Sequence, residues 1–380
     1  MDASVMFDRA RYAGIFKPVE EAETLPGWCY HDPAYYQAEV KNLFMKVWNF
    51  FGHVDQVRKP GDYIALDYVG IPVLIVRGQD NKVRAFANNC RHRGAQLVEG
   101  EGNGRAFTCP YHGWVYDLEG KLKGCPGMER TACFERKENG LVELRLETVG
   151  CFMFINFDPD AAPLSEYLGE FGETMRSYDL DNLVLTRRHV HEVGCNWKIH
   201  IENAMEDYHV PTVHKASISA KQVEHFEVPV RGEWFNMREQ HDQHTRALLG
   251  EDLPYELPHI KTLQGHAAEG TNFVCLNPST MLGMTLDCVW YIELQPQGPE
   301  HTRVVVGSCF PKESTELPDF EERASRYYKR WDLSIGEDNV IAEIQQRGLR
   351  SPIVQPGRLS YLEPLIPRLA QWWVERTIPA

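Results

Sequence analysis

The chain has 380 residues, 43% of them apolar and 25% charged, with 40 Lys and Arg against 54 Asp and Glu for a formal net charge of -14. That length exceeds one compact core and implies two or three domains of about 100–200 residues each, and the composition excludes disordered, collagen-like and low-complexity classes. The acidity argues against nucleic-acid and anionic-membrane partners, which carry the same sign of charge, and no apolar run reaches the ~18 residues of a membrane span.

The N-terminus shows no apolar stretch of secretory type, so a cytoplasmic protein is expected, with its ten cysteines as reduced thiols. In chain order, residues 1–44 carry Pro18, Pro26 and Pro33 and a predicted helix over 33–46, and read as an N-terminal arm. From Trp48 the texture changes. Short runs of strand character follow at 62–68, 72–76, 83–87, 114–118, 142–146 and 152–157, separated by turn signals such as Lys59-Pro60-Gly61-Asp62. That spacing predicts a small all-β domain over 45–158. After a linker at 159–163, helices are predicted over 164–178, 197–210, 319–333 and 339–349, and strands over 273–274, 290–294 and 302–310. Residues 159–380 are therefore expected to form an α+β domain.

Two Cys/His pairs stand in the β domain. Cys90-Arg91-His92-Arg93-Gly94 is followed by Cys109-Pro110-Tyr111-His112-Gly113-Trp114, with sixteen residues between His92 and Cys109. Two thiolates and two imidazoles can hold one metal centre, and structural zinc is the plain alternative. The spacings, Cys-x-His and Cys-x-x-His, are not those of a zinc finger, and no finger helix follows the second pair. The pattern resembles the Rieske [2Fe–2S] motif. The resemblance implies that Cys90 and Cys109 bind one iron and His92 and His112 the other, the neutral imidazoles raising the reduction potential. No extra Cys stands in either loop, and Tyr111 and Trp114 occupy positions where respiratory Rieske proteins place Cys and Ser, so a lower-potential cluster of the oxygenase type is expected. Cys125 and Cys133 lie outside the motif and are read as packing residues.

The second constellation is Glu202-Asn203-Ala204-Met205-Glu206-Asp207-Tyr208-His209-Val210-Pro211-Thr212-Val213-His214. On a helix Glu206 and His209 share a face, and Pro211 is expected to end or kink that helix and let His214 return toward His209. Two imidazoles and a distant carboxylate make the 2-His-1-carboxylate set of non-haem Fe(II) oxygenases, with positions left open for O2. After a Rieske domain, this segment resembles the iron motif of Rieske oxygenase α subunits, from about Trp28 to Trp373 of the chain. The resemblance implies an all-β Rieske domain followed by a helix-grip catalytic domain, with the arm packed on the latter. It implies His209 and His214 as ligands to mononuclear Fe(II), Glu206 as the acid bridging to the cluster of a neighbouring subunit, and Asn203 near the iron. The third ligand is expected at Asp338, at the opening of a late helix, with Glu337 as its competitor. Glu rather than Asp at position 206 is similar to the members that oxidise choline, betaine and carnitine.

The same resemblance implies a head-to-tail homotrimer, with or without a small β subunit, and electrons from NADH or NADPH through a separate flavin and iron–sulfur reductase. No Gly-x-Gly-x-x-Gly follows a strand, and 100–104 reads as a hairpin turn. The expected reaction is hydroxylation or oxidative demethylation of a small quaternary or N-methyl amine. Hydroxylation or O-dealkylation of an aromatic compound is the alternative, and a non-catalytic Rieske electron carrier the alternative of another class. Trp234, Phe235, Phe273, Trp290 and Tyr291 are candidates for an aromatic cage or a flat pocket, against a plain core role for each. Arg231, Arg238 and Arg246 are candidate carboxylate anchors, against a solvated surface role.

Overall fold

The computed structural model describes residues 3–378 except 216, 219–224, 228, 230 and 242. Among the described residues it holds two seven-stranded antiparallel sheets and one of three strands. The first large sheet runs in the order Asn49–His53, Phe152–Asn156, Glu143–Val149, Val83–Ala87, Ile71–Arg77, Asp62–Tyr68 and Gly100–Asn103. Side chains alternate across a strand, and Ile71–Arg77 shows the result. Val73 and Ile75 enter the main core, whereas Leu74 and Val76 pack with Cys90 and Cys109. Both faces are buried, which is why this strand is continuously apolar. The Gly-rich stretch read as a hairpin turn is instead the edge strand Gly100–Asn103, paired with Asp62–Ala65.

The second large sheet runs Leu183–Val193, His301–Pro311, Val289–Gly298, Thr280–Met284, Gly270–Leu276, Trp234–Gln240 and His225–Glu227. One row across it registers Met237, Phe273, Gly283 and Trp290 as successive cross-strand neighbours. A helix, Phe320–Leu349, packs on this face through Trp331, Tyr327 and Phe320 against Trp290 and Phe310. It is one continuous helix of 30 residues where two were predicted. Gly336 lies inside it without breaking it, at a cost of about 1 kcal/mol relative to Ala. Asp338 is therefore mid-helix and does not open a helix, so a macrodipole role at an N-terminus is excluded.

The helix predicted over 164–178 is broken. Glu170 N–H bonds the Arg231 carbonyl instead of continuing the first piece, Leu164–Leu168. The helix predicted over 197–210 ends at Ala204. Glu206 then accepts from the backbone N–H of His209 at 3.0 Å, a local side-chain bond that competes with the helical pattern. Pro211 stands in the first turn of a new short helix, Val210–Val213, so it starts a helix where the sequence suggested it would end one.

In the arm, Asp32 caps the helix Pro33–Glu39, which runs on into a π turn, Val40–Phe44. Tyr12, Tyr35 and Phe44 of this arm join Ile64 and Met153 of the first sheet and Trp197 and Trp373 of the second region in one core. The arm is fastened by an ion pair inside that core, Lys198 Nζ to Glu39 Oε1 at 2.6 Å, both side chains 0% exposed. Among the described residues no helix is long and apolar enough to cross a membrane.

Candidate active site

The two Cys/His loops have the same backbone. Cys90 N–H bonds Ala95 O and Gly94 N–H bonds Cys90 O; Cys109 N–H bonds Trp114 O and Gly113 N–H bonds Cys109 O. Each loop thus closes on the fourth and fifth residue after its Cys. Each places glycine at a left-handed position, φ 77° at Gly94 and 69° at Gly113, which side chains other than glycine rarely adopt. Cys90 and Cys109 are buried, whereas His92 and His112 are exposed with ring centroids 4.6 Å apart. His92 stacks on Trp114 at 5.0 Å. The two pairs thus set a buried sulfur end against a solvent-facing imidazole end.

Tyr116 is a residue the sequence reading missed. Its oxygen accepts from Arg91 N–H at 3.0 Å and lies 3.3 Å from Cys90 Sγ. The hydroxyl proton is left to donate to the sulfur, and donors to cluster sulfurs raise the potential. Tyr116→Phe is expected to lower the cluster's midpoint potential with its absorbance retained; a redox titration followed by EPR checks it. Of the two cysteines read as packing residues, Cys125 packs beside this core, but Cys133 is exposed and is not a packing residue.

Around the second constellation, His209 Nε2 lies 3.3 Å from His214 Nε2 and 3.6 Å from Asp338 Oδ1, and His214 Nε2 lies 3.1 Å from Asp338 Oδ1. A ligand distance of about 2.1 Å to each is compatible with that triangle. The outer nitrogens are held as well. His209 Nδ1 donates to Glu206 at 2.7 Å and His214 Nδ1 to Glu337 at 2.7 Å, which turns each Nε2 lone pair inward. Glu337, the competitor, thus supports His214, and Ser217 donates to the same carboxylate. Asp338 Oδ1 is buried with no hydrogen-bond partner. A buried orphaned carboxylate oxygen beside two inward imidazoles fits a divalent cation. The other His/Asp group among the described residues, His189, His191 and Asp332, differs here, because Arg187 forks both oxygens of Asp332 at 2.9 Å.

The triangle is assembled by helix Trp197–Ala204 lying against the long helix. Asn196 caps the former and donates its own N–H to Gln346 Oε1, and His200 bonds Asn339 at 3.0 Å. Asn203, in the last turn of the first helix, has Oδ1 buried and unpartnered, so it makes no local bond through that atom. Glu202, on the same helix, accepts from Tyr30 at 2.7 Å, and burial pushes its carboxyl up to about 7. The donor atoms open into a cavity of about 150 Å³, similar to one that holds benzene.

Residues 180–378 match the family model of the ring-hydroxylating α subunit (catalytic domain), and residues 47–135 match the Rieske [2Fe-2S] domain. The carnitine monooxygenase oxygenase subunit of Escherichia coli K12 is 30% identical over 341 residues, 87% of this chain and 86% of that one. The chain belongs to the Rieske oxygenase α-subunit family. The chloroplastic choline monooxygenase of Atriplex hortensis is 28% identical over 92% of this chain and 76% of its own. The structure of the quaternary ammonium Rieske monooxygenase CntA in complex with L-carnitine aligns at a TM-score of 0.78 and 25% identity, over 96% of this chain and 98% of that one. This oxygenase therefore carries a Rieske cluster and a mononuclear non-haem iron, and as an enzyme of this family it takes electrons from a reductase and acts on a small substrate.

The five candidate aromatics do not form one cage. Strand alternation sends Phe273 and Trp290 into the cavity, while Trp234 and Tyr291 face the opposite core and Phe235 is buried outside the cavity lining. Of the three candidate arginines, Arg246 lines the cavity and pairs with Glu239 at 2.8 Å; Arg231 is exposed, and Arg238 is buried without lining it. Trp290 lies over Gly283, where a Cβ would sit 2.3 Å from the indole. Gly283→Ala must displace this ring of the cavity wall. It is expected to cost about 1–3 kcal/mol of stability and to raise KM, read by thermal melting and steady-state kinetics.

Proposed function

We propose that His209, His214 and Asp338 hold the mononuclear iron, that Cys90, Cys109, His92 and His112 hold the cluster, and that the substrate is a small quaternary or N-methyl amine. The observation that supports this most is the unpartnered Asp338 Oδ1, within 3.1 and 3.6 Å of two imidazole nitrogens at a small cavity. When bound, the iron supplies O2 activation, using electrons delivered through the cluster. The residues of the chain orient and enclose. Glu206 and Glu337 fix the imidazole tautomers, and Asn203 presents a polar oxygen beside the donor set.

The amine reading rests on charge and size. Glu206, Asp207, Glu337 and Asp338 cluster at this end, so formal carboxylate charge exceeds that of a divalent ion and favours a cationic nitrogen. A cavity of about 150 Å³ suits a substrate of few atoms rather than a fused ring system. The relatives named for carnitine and choline monooxygenation point the same way.

The exposed surfaces support a head-to-tail trimer. The cluster tip exposes Arg91, Arg93, His92, His112 and Tyr111, and the mouth of the iron site offers Asp207 and an exposed Tyr208. Opposite charge with an aromatic on each side suits docking between subunits, with Glu206 at the junction. The test is a panel of carnitine, betaines, choline, aryl carboxylates and aryl methyl ethers under 18O2, with a promiscuous reductase. One O2, two electrons and two protons give one water and one oxygen inserted at carbon. Formaldehyde with an amine lighter by CH2, or an aldehyde with a released methylamine, supports the reading. A labelled ring product overturns it.

A further inference from the structure

Arg330 is the cavity's second guanidinium, and it differs from Arg246. It stands on the long helix two turns before Asp338, with Ser334 midway, so all three share one stripe of the helix. Its side chain is only 7% exposed yet lines the cavity. Among the described residues its side chain makes one hydrogen bond, from Nη1 to Ser334 Oγ at 3.3 Å. The guanidinium rests 5.7 Å from the ring centroid of Trp290. Among the described residues no carboxylate comes within ion-pair distance of it. Glu239 is paired with Arg246 at 2.8 Å, and Asp338 faces the two imidazoles. Burial pulls Arg330 down to about 10, against the attraction of Asp338, which leaves it charged at neutral pH. A guanidinium carries five donors in a fork matched to a carboxylate. Buried and supplied with one neutral partner, it is a cation awaiting a counter-ion.

We infer that Arg330 anchors a carboxylate of the substrate, so that the amine oxidised here is a zwitterion with its nitrogen at the iron end and its carboxylate at the Arg330 end. Eight helical residues separate Arg330 from Asp338, about 12 Å of helix axis, and both side chains reach into the space between. A zwitterion of a few bonds spans it. The acidic cluster at one end and Arg330, beside the Arg246–Glu239 pair, at the other make the cavity a dipole opposed to that of such a substrate. Trp290, held over Gly283, stands 5.7 Å from the guanidinium and occupies one side of it. The inference rests on the amine reading of the site and sharpens it, since it separates carboxylate-bearing amines from amino alcohols.

The test uses a matched pair: a trimethylammonio carboxylate and the trimethylammonio alcohol of the same chain length. Binding is measured by calorimetry under anaerobic conditions, and kcat/KM with the reductase present. The wild-type enzyme is expected to prefer the carboxylate by about 10²-fold, the worth of a charge-assisted pair. Arg330→Gln is expected to bring that ratio toward parity, mainly through KM, with the cluster absorbance retained. Arg330→Lys keeps the charge without the fork and is expected to give an intermediate ratio. Equal binding and turnover of the two compounds by the wild type overturns the anchor and leaves the amine reading standing. Turnover of neither compound overturns the amine reading itself. The wild-type comparison and Arg330→Lys decide the matter if Arg330→Gln does not fold.

Discussion

Asp338→Asn is expected to leave the cluster spectrum unchanged, to remove one iron per chain with sulfide unaltered, and to lower turnover by about 10³-fold or more, the several kcal/mol a bound metal supplies. The substitution keeps size and shape, so the long helix and its packing on Trp290 are undisturbed. What changes is the donor. Asp338 Oδ1 is buried, unpartnered, and 3.1 Å from His214 Nε2. An amide oxygen carries no formal charge, and an amide nitrogen turned inward would repel a cation. Iron and sulfide analysis with a visible spectrum checks the first two statements. Glu337 provides the control. It is bonded to His214 Nδ1 at 2.7 Å, and loss of such an outer partner costs only about 10–100-fold. If Asp338→Asn kept its mononuclear iron and Glu337→Gln lost it, the two carboxylates would have to exchange roles.

Lys198→Met is expected to destabilise the fold by about 3–5 kcal/mol, the cost of leaving a buried charge without its partner. Lys198 and Glu39 are both 0% exposed and bonded at 2.6 Å. The ammonium is ringed by Trp197, Tyr30 and Tyr35, with centroids at 4.9, 5.5 and 5.6 Å. Burial raises the Glu39 carboxyl and the attraction of Lys198 opposes that, so removing Lys198 leaves Glu39 to protonate or drag water inward. The double variant with Glu39→Leu is expected to recover most of the loss, because an apolar pair of similar volume is close to neutral there. Equal destabilisation in single and double variants would assign the cost to packing instead. Chemical denaturation followed by tryptophan fluorescence distinguishes the two. The pair ties the N-terminal arm to the helix that leads into His209, so the single variant is also expected to weaken iron retention.

The two matching Cys/His loops were legible in the sequence because their pattern is local: each Cys, its His and its glycine lie within five residues of one another. His209 and His214 were legible for the same reason, but the path between them was not. A Glu-x-x-His pattern fits a continuous helix, and only Glu206 bonding the His209 backbone shows why the helix stops before it. Asp338 was suggested by likeness rather than by pattern, since it lies more than 120 residues away on a helix whose length Gly336 disguised. The strands Leu183–Val193, Trp234–Gln240 and Thr280–Met284 were missed. The first is a charged edge strand with a wet face, and the other two are buried on both sides, so none shows clean alternation. Among the aromatics, Trp290 and Tyr291 are neighbours in sequence and face opposite cores; parity alone separates them, and parity has no origin until the sheet is packed. Arg330 reads in sequence as one more charge on an amphipathic helix. Its burial is a product of the helix lying on the sheet.

The most direct measurement is a single turnover of pre-reduced protein. The cluster is reduced chemically without oxygen, excess reductant is removed, and O2 is admitted with a trimethylammonio carboxylate while cluster absorbance and product are followed together. In the wild type, cluster reoxidation and product formation are expected to share one rate constant, and in Asp338→Asn the cluster is expected to stay reduced on that timescale. Equally fast reoxidation in Asp338→Asn, with no product from the wild type, would contradict a reaction centred on His209, His214 and Asp338.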